Sequence, residues 1–203
     1  MGCAERADSL KHRQLAPSVL VVLILVAVQG CSSAVPQKTE HRFYVQGEAV
    51  LDFAPEGWKS AGDRSGEQLR NPNSFFLPGA QDRESWKEMI TISQPRLSGD
   101  PSETVDTMLN AFKESCEGYK VVQIDQSVQN NYSTVTKLMF CGKSRRSPVG
   151  KGGVGIVKAF STNSGPVVLL RQLRLDPYDV QNLPLSSQKS TELLEWAKGV
   201  YMC

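Results

Sequence analysis

The residues able to act as a base or a nucleophile are few in this sequence. Its 203 residues include two histidines, His12 and His41, and both precede residue 42, where the globular domain is predicted to begin. The domain therefore lacks the base of Ser–His and Cys–His nucleophiles and a common zinc ligand, as long as His41 stays outside it. We expect no His-dependent catalysis, no metal site and no cofactor.

Glu84 and Glu88 are the acids whose spacing comes nearest to catalytic chemistry, because a pair of carboxylates suffices to hydrolyse a glycosidic bond. They flank Trp86 where a loop enters a predicted strand, and solvated surface acids are the favoured interpretation. The glycine-rich run GKGGVG at 150–155 is no phosphate-binding loop, since it lacks the Lys-Ser/Thr ending and leads into a strand.

The stretch VLVVLILVAVQGC at 19–31 determines where the protein is expected to reside. It follows the basic cluster Lys11, His12 and Arg13. Its apolar run, 19–28, is too short for a membrane-spanning helix, which needs about 20 residues. Its length and the preceding positive charge are typical of a secretory signal. A plain cleaved signal remains an alternative to the interpretation that follows.

The last four residues, Val28-Gln29-Gly30-Cys31, resemble the box that ends the signal peptide of bacterial lipoproteins. The resemblance implies that the Cys31 thiol receives a diacylglycerol, that residues 1–30 are removed, and that the new amino terminus is acylated. Gln29 departs from the small residue usual at its position, which bears on processing efficiency. Ser32 resembles the class sorted to the outer membrane, because Asp at that position retains lipoproteins in the inner membrane.

Residues 31–41 are predicted to be a lipidated tether, and 42–203 a single domain that faces the periplasm. The tether is polar, contains Pro36 and has no hydrophobic periodicity. Lys and Arg total 23 and Asp and Glu total 21, so the overall charge gives no attraction to nucleic acid. The expected partners are the membrane, through the anchor, and an envelope component.

A local excess of positive charge lies in the segment GKSRRSPVGKG at 142–152. Lys143, Arg145, Arg146 and Lys151 lie there with no acid between them, and such clustering gives a local positive potential. We hypothesise that these four residues contact an anionic envelope component or partner protein. A polar hairpin tip that prevents edge aggregation is an equally good interpretation.

The elements that must position these residues follow an α+β order. Asp100-Pro101-Ser102-Glu103 predicts a helix start, Gly118 its end, and Val105, Met108, Leu109, Phe112 and Cys116 its buried face. Two hairpins (119–128 with 132–141, and 153–161 with 166–175) follow, and Ser186 or Ser187 caps a final helix. Residues 59–84 are predicted to be a long loop, and 86–92 a strand.

The predicted fold is therefore an antiparallel sheet of about five to seven strands packed by two main helices, its other face partly solvent-exposed. The stretch GEAVLDFAPEGWK at 47–59, followed by this order, resembles the PsbP-like fold, named for an extrinsic protein of plant photosystems.

Cysteines of an exported domain tend to pair. The Asn130-Asn131 turn places Cys141 opposite roughly residue 120, and cross-strand neighbours lie about 5 Å apart. Cys116 closes the predicted helix just before that strand, so we predict a Cys116–Cys141 disulfide that joins helix to sheet. Pairing of Cys203 with either cysteine is the alternative, and two buried thiols are another.

Two hypotheses of function follow. The favoured one is a non-catalytic, lipid-anchored envelope protein of the outer membrane that binds or scaffolds an envelope partner. The alternative is an enzyme that acts on cell wall or lipid through carboxylates alone.

Overall fold

A computed structural model of the chain describes residues 42–45, 48–51, 53–61, 74–95, 99–146 and 150–203. The chain divides into two units, Met1–Thr39 and Glu40–Cys203, and the described residues all belong to the second. The predicted lipidation site Cys31, the signal 1–30 and the tether 31–41 lie outside the described residues.

The described part of the chain contains ten strands and two helices. The elements are β1 (Arg42–Val45), β2 (Glu48–Leu51), β3 (Trp58–Ser60), β4 (Ser74–Pro78), β5 (Glu88–Ser93), α1 (Pro101–Glu114), β6 (Cys116–Gln129), β7 (Tyr132–Ser144), β8 (Gly152–Phe160), β9 (Val167–Leu175), α2 (Ser187–Gly199) and β10 (Tyr201–Met202). Seven strands form one antiparallel sheet in the order β3-β4-β5-β9-β8-β7-β6, and β1, β2 and β10 form a small second sheet. The predicted α+β class, with two helices and a seven-stranded antiparallel sheet, is confirmed.

Side chains of β7, β8 and β9 alternate between the two faces of the large sheet, as the two-residue period of a strand requires. Helix α1 packs on one face, against a cluster that contains Val135, Met139, Val157, Ala159, Val168 and Leu170. Helix α2 packs on the other, against a cluster that contains Phe140, Val154, Ile156, Phe160 and Leu169. Each fully buried side chain of this kind stabilises the fold by about 1.5–3 kcal/mol.

The prediction of a partly solvent-exposed sheet face is wrong for the centre of the sheet, because a helix covers each side. Solvent reaches the edge strand β6 instead. Most β6 side chains are exposed, including Val122, Ile124 and Val128.

The first predicted hairpin is formed by β6 and β7. Asn130 and Asn131 adopt φ of 51° and 69°, the left-handed conformation that a tight two-residue turn requires and that Asn tolerates. The resulting register pairs Tyr119 with Cys141. The second hairpin, β8 with β9, pairs Phe160 with Val167.

Both helices begin where the sequence predicts. The Asp100 carboxylate accepts a hydrogen bond from the Ser102 N–H at 3.0 Å, and the Ser186 hydroxyl accepts one from the Lys189 N–H at 3.1 Å. Each cap satisfies a backbone donor at a helix start, which is typically worth about 1 kcal/mol. Helix α1 ends earlier than predicted, at Glu114, and Gly118 lies in β6 with φ 72°.

Two regions differ from the sequence prediction. The long loop predicted over 59–84 contains strand β4 and the end of β3, which form an edge of the large sheet. The chain end forms β10, which pairs with β2. Strands of two or three residues carry too few side chains to display an alternating pattern, so their partners define them.

Candidate anion-binding cleft

A cleft of about 350 Å³ opens beside the end of α1, on the sheet face that this helix covers. It is lined by Trp86, Ala111, Phe112, Ser115, Cys116, Met139, Cys141, Ser144, Arg146, Lys151, Gly152, Gly153, Gln172 and Arg174. Three of these residues are cationic, and within the described part of the chain no acid lines the cleft.

The apolar floor of the cleft is formed by Phe112, Met139, Cys116 and Cys141, beside the glycines of β8. A Cβ at Gly155 would lie 2.9 Å from the Met139 Cε, so glycine there leaves room for the Met139 side chain. A Cβ at Gly152 would lie 2.7 Å from the Gly142 carbonyl oxygen, and this backbone atom cannot easily move away. The glycine-rich run therefore serves close packing at the start of β8.

The predicted cysteine pair forms one side of this floor. The sulfurs of Cys116 and Cys141 lie 2.12 Å apart, with their Cα atoms 5.4 Å apart, a separation typical of a disulfide. Cys116 is the first residue of β6 and not the last of the helix, so the bond joins two neighbouring strands. The prediction that it joins helix to sheet is wrong in that respect, and so is the alternative in which Cys203 pairs with either cysteine.

Arg174 and Trp86 form one part of the cationic rim. The Arg174 guanidinium carbon lies 4.0 Å from the centre of the Trp86 ring, a stacked arrangement in which the ring attracts the cation. The Arg174 Nη1 donates to the Glu84 backbone carbonyl at 3.2 Å. Among the described residues, no carboxylate pairs with Arg174.

Lys151 and Arg146 form the rest of the rim. Lys151 Nζ lies 2.5 Å from the exposed Asp176 carboxylate, and the hydrogen bond and charge of Lys151 lower the pKa of Asp176. Arg146 is exposed and forms no ion pair with a described residue. Its backbone N–H donates to the Ser144 hydroxyl at 3.3 Å.

The structure divides the four cations predicted as one site. Arg146 and Lys151 line the cleft, whereas Lys143 and Arg145 do not. Lys143 lies 3.8 Å from the Glu117 carboxylate, and the Arg145 Nη1 donates to the Glu114 carbonyl at 3.5 Å. These two residues are exposed and do not line the cleft, so they provide a matched set against which the cleft cations can be tested.

Two tyrosines hold the backbone around the cleft. The Tyr178 hydroxyl donates to the Gly153 carbonyl at 2.7 Å, and the Tyr119 hydroxyl donates to the Leu109 carbonyl at 2.9 Å. Burial raises the pKa of each phenol to about 12, with the Asp106 charge adding to the rise at Tyr119. Both phenols therefore stay protonated, and remain donors, at physiological pH.

Glu84 and Glu88 do not both behave as the solvated acids that the sequence suggested. Glu88 is 15 % exposed and accepts from Arg171 Nε at 2.7 Å and from Lys189 Nζ at 3.0 Å. Its carboxylate is thus held in a charge network on the α2 side of the sheet. Glu84 is exposed, as predicted.

The sequence predicts no functional role for Trp86 or Arg174. The predicted strand 86–92 includes Trp86, whereas β5 begins at Glu88 and Trp86 precedes it. The two-residue period of β9 could have identified Arg174. One face of the strand carries Val167, Leu169 and Arg171. The other face, on the α1 side, carries Val168 and Leu170 and ends in the polar residues Gln172 and Arg174.

The described residues contain no group of three or more His, Cys, Asp or Glu arranged to hold a metal ion. In the same part of the chain, neither helix combines the length and the apolar character that crossing a membrane requires.

Comparisons with known protein families and with curated proteins find no match for this chain. Solved structures with a similar arrangement include the Ran-binding protein Mog1p of Saccharomyces cerevisiae, which shares 13 % identity at a TM-score of 0.45 and covers 77 % of this chain and 83 % of its own. Another is cyanobacterial PsbP (CyanoP) from Synechocystis sp. PCC 6803, with 14 % identity and a TM-score of 0.44. The match covers 86 % of this chain and 99 % of the PsbP chain. At this level the similarity concerns the arrangement of elements, and no function follows from it.

Proposed function

We propose that this chain is a non-catalytic, lipid-anchored envelope protein of the outer membrane whose domain binds an anionic envelope component at the cleft. The observation that carries the binding role is the cleft rim, where Arg146 and Arg174 form no ion pair with a described residue and Lys151, paired with Asp176, lies beside them. Clustered cations that no carboxylate neutralises attract anions and form charge-assisted hydrogen bonds with them.

The anchor rests on the sequence alone. The apolar run 19–28 and the box that ends at Cys31 support acylation, and Ser32 supports sorting to the outer membrane. Mass spectrometry of the mature amino terminus is expected to find an acylated cysteine at position 31. Cys31→Ala is expected to remove the lipid and release the protein from the outer membrane fraction. A native amino terminus without acyl mass would contradict the anchor.

The binding role is tested with vesicles. The full chain carrying Cys31→Ala, produced in an oxidising compartment, is expected to bind phosphatidylglycerol vesicles and not phosphatidylcholine vesicles. Binding should weaken markedly between low salt and 0.15 M, where the Debye length falls to about 8 Å. Equal binding to both vesicles, or binding indifferent to salt, would contradict an electrostatic site.

Two pairs of substitutions locate the site. Arg146→Gln with Arg174→Gln removes two cleft cations and is expected to weaken vesicle binding at least tenfold, because one hydrogen bond to a charged group is worth about 1.5–3 kcal/mol. Lys143→Gln with Arg145→Gln removes the same charge outside the cleft and is expected to change binding about twofold, the size of a weak surface electrostatic effect. Equal losses in both pairs would contradict a site at the cleft.

A further inference from the structure

The cleft combines a cationic rim with an apolar floor, and a simple anion needs only the rim. A free phosphate or sulfate is bound adequately by cations on an open surface. Here the cations border a floor made by Phe112, Met139 and the Cys116–Cys141 disulfide. Apolar surface that stays in contact with water is unfavourable, and its removal from water drives binding. The floor therefore fits a ligand with an apolar part.

The donors at the rim are not fully used. A guanidinium has five N–H donors, and the described contacts of Arg174 use one of them, at Nη1, on the Glu84 carbonyl. The Trp86 ring covers one face of this group and removes water from it without neutralising its charge. An anionic head group can accept the remaining hydrogens at the guanidinium edge.

The size of the cleft limits the apolar part. Its volume of about 350 Å³ lies at the lower end of the range of small-molecule sites, roughly 300–1,000 Å³. At about 30 Å³ for each water-sized group, it holds about ten to twelve non-hydrogen atoms. Two full acyl chains would exceed this volume, whereas one aliphatic chain of about ten carbons fills it.

We propose that the cleft binds an amphiphile that carries an anionic head and a single aliphatic chain, with about ten carbons inside the cleft. The head pairs with Arg146 and Arg174, with Lys151 beside them, and the chain lies along Phe112 and Met139. This proposal rests on the proposed function, because it assigns the ligand class of the same site.

Chain length gives the direct test. Calorimetric titration of the full chain carrying Cys31→Ala uses butyl, hexyl, octyl, decyl and dodecyl phosphate, each below its critical micelle concentration. Affinity is expected to rise about fourfold for each added methylene, equivalent to about 0.8 kcal/mol, and to level off near ten carbons. Affinity that does not depend on chain length, or that rises without levelling, would overturn the proposal.

A substitution that fills the cleft gives an independent test. Ala111 lines the cleft from an exposed position of α1, so Ala111→Trp places a ring in the cleft without entering the core. It is expected to lower the affinity for decyl phosphate at least tenfold. The control, Asn110→Trp, lies next to it on the helix, is exposed and does not line the cleft, and should change affinity less than twofold. Equal affinities in the two variants would overturn the assignment of the cleft.

The outcomes separate this inference from the proposed function. If butyl and decyl phosphate bind equally and both are weakened by Arg146→Gln with Arg174→Gln, the anionic site stands and the aliphatic ligand is wrong. If decyl maltoside binds as tightly as decyl phosphate and the same substitutions have no effect, the cationic rim has no role and the proposed function fails as well.

Discussion

Two arginines three residues apart on β9 lie on opposite faces of the sheet and differ in how their charges are neutralised. On the α2 face, Arg171 has a side chain 3 % exposed and forms ion pairs with Glu88 and Glu192. Its guanidinium carbon lies 5.6 Å and 5.7 Å from the ring centres of Trp58 and Trp196. On the α1 face, Arg174 is half-buried and stacks on one tryptophan, Trp86, without a carboxylate among the described residues.

A structural cation differs from one available to a ligand in how its charge is neutralised. A buried charge is costly unless it is paired and hydrogen-bonded, and Arg171 has both kinds of partner. Lys189 completes this network by binding Glu88 at 3.0 Å and Glu192 at 2.9 Å. Burial alone would raise the pKa of Glu192, but hydrogen bonds from Lys189 and Arg171 and the charges of both lower it. The network is closed, whereas Arg174 has donors left over.

The largest effect is expected from opening the closed network. Arg171→Met leaves the Glu88 carboxylate buried with Lys189 alone, and removing one partner of a buried pair costs about 3–5 kcal/mol. Urea unfolding should report a loss of this order in the free energy of unfolding. Arg174→Met is the matched control, at the same strand and with the same change of side chain, and should cost less than about 1 kcal/mol. Similar losses in both variants would contradict the structural difference between Arg171 and Arg174.

A smaller effect is expected from removing the disulfide on the cleft side. Cys116 and Cys141 are separated by 25 residues, and closing a loop of that length stabilises a protein by about 3 kcal/mol. Cys116→Ala with Cys141→Ala should lower the free energy of unfolding by about this amount and weaken decyl phosphate binding, since the floor loses a fixed side.

The control for the disulfide is Ser115→Ala, which changes an adjacent cleft residue without touching the bond. The free energy of unfolding of this variant should fall by about 1 kcal/mol or less, because the substitution removes only the hydrogen bond from the Ser115 hydroxyl to the Phe112 carbonyl at 2.9 Å. If the double alanine variant is as stable as the parent chain, the bond does not stabilise the domain.

The smallest effect concerns Lys158, a second buried cation of the α2 face. Its ammonium donates to the Ala197 and Val200 carbonyls at 2.7 Å each and to the Gln129 side chain at 3.0 Å. Among the described residues no carboxylate contacts it, and burial lowers its pKa from 10.5 to about 8, against the opposing charge of Asp125. Unlike Arg171, charged Lys158 therefore lowers the free energy of unfolding.

The sign of the pH dependence follows from this lowered pKa. Between pH 8 and 10.5 the unfolded chain binds more protons at Lys158 than the folded one, so the free energy of unfolding rises with pH. The slope is at most about 1.4 kcal/mol per pH unit, and we expect a gain of about 1–2 kcal/mol between pH 7.5 and 9.5. Tyr119 and Tyr178 act in the opposite sense only above about pH 10, their unperturbed pKa. Lys158→Met should abolish the rise, and a flat profile in the parent chain would contradict it.

Much of the fold could be predicted from the sequence because local signals were strong. The Asp100 cap, the Asn130-Asn131 turn and the period of two in β7 to β9 each have a local physical cause, and together they define α1 and the two hairpins. Strands β3 and β4 lacked such a cause. They are short, and their partners lie in β4 and β5, respectively, so they are defined by pairing and not by a local pattern.

The cleft was predictable only in part. Arg146 and Lys151 were predictable because they cluster in sequence, but Lys143 and Arg145 belong to the same cluster and do not line the cleft. Trp86 and Arg174 are far apart along the chain, and their contact depends on the pairing of β5 with β9. Charge clustering in sequence identified a basic region, but which cations remain available was decided by the carboxylates and carbonyls that surround each one.

The most direct test of the cleft compares the three tryptophans. Nuclear magnetic resonance of the full chain carrying Cys31→Ala follows the indole N–H signals of Trp58, Trp86 and Trp196 during titration with decyl phosphate, each assigned by its Trp→Phe variant. The Trp86 signal is expected to shift with saturation, while the signals of Trp58 and Trp196 stay unchanged. The Trp196 indole donates to the Phe53 carbonyl at 2.6 Å. An unchanged Trp86 signal, or shifts of the Trp58 and Trp196 signals as large as that of Trp86, would contradict ligand binding at the cleft.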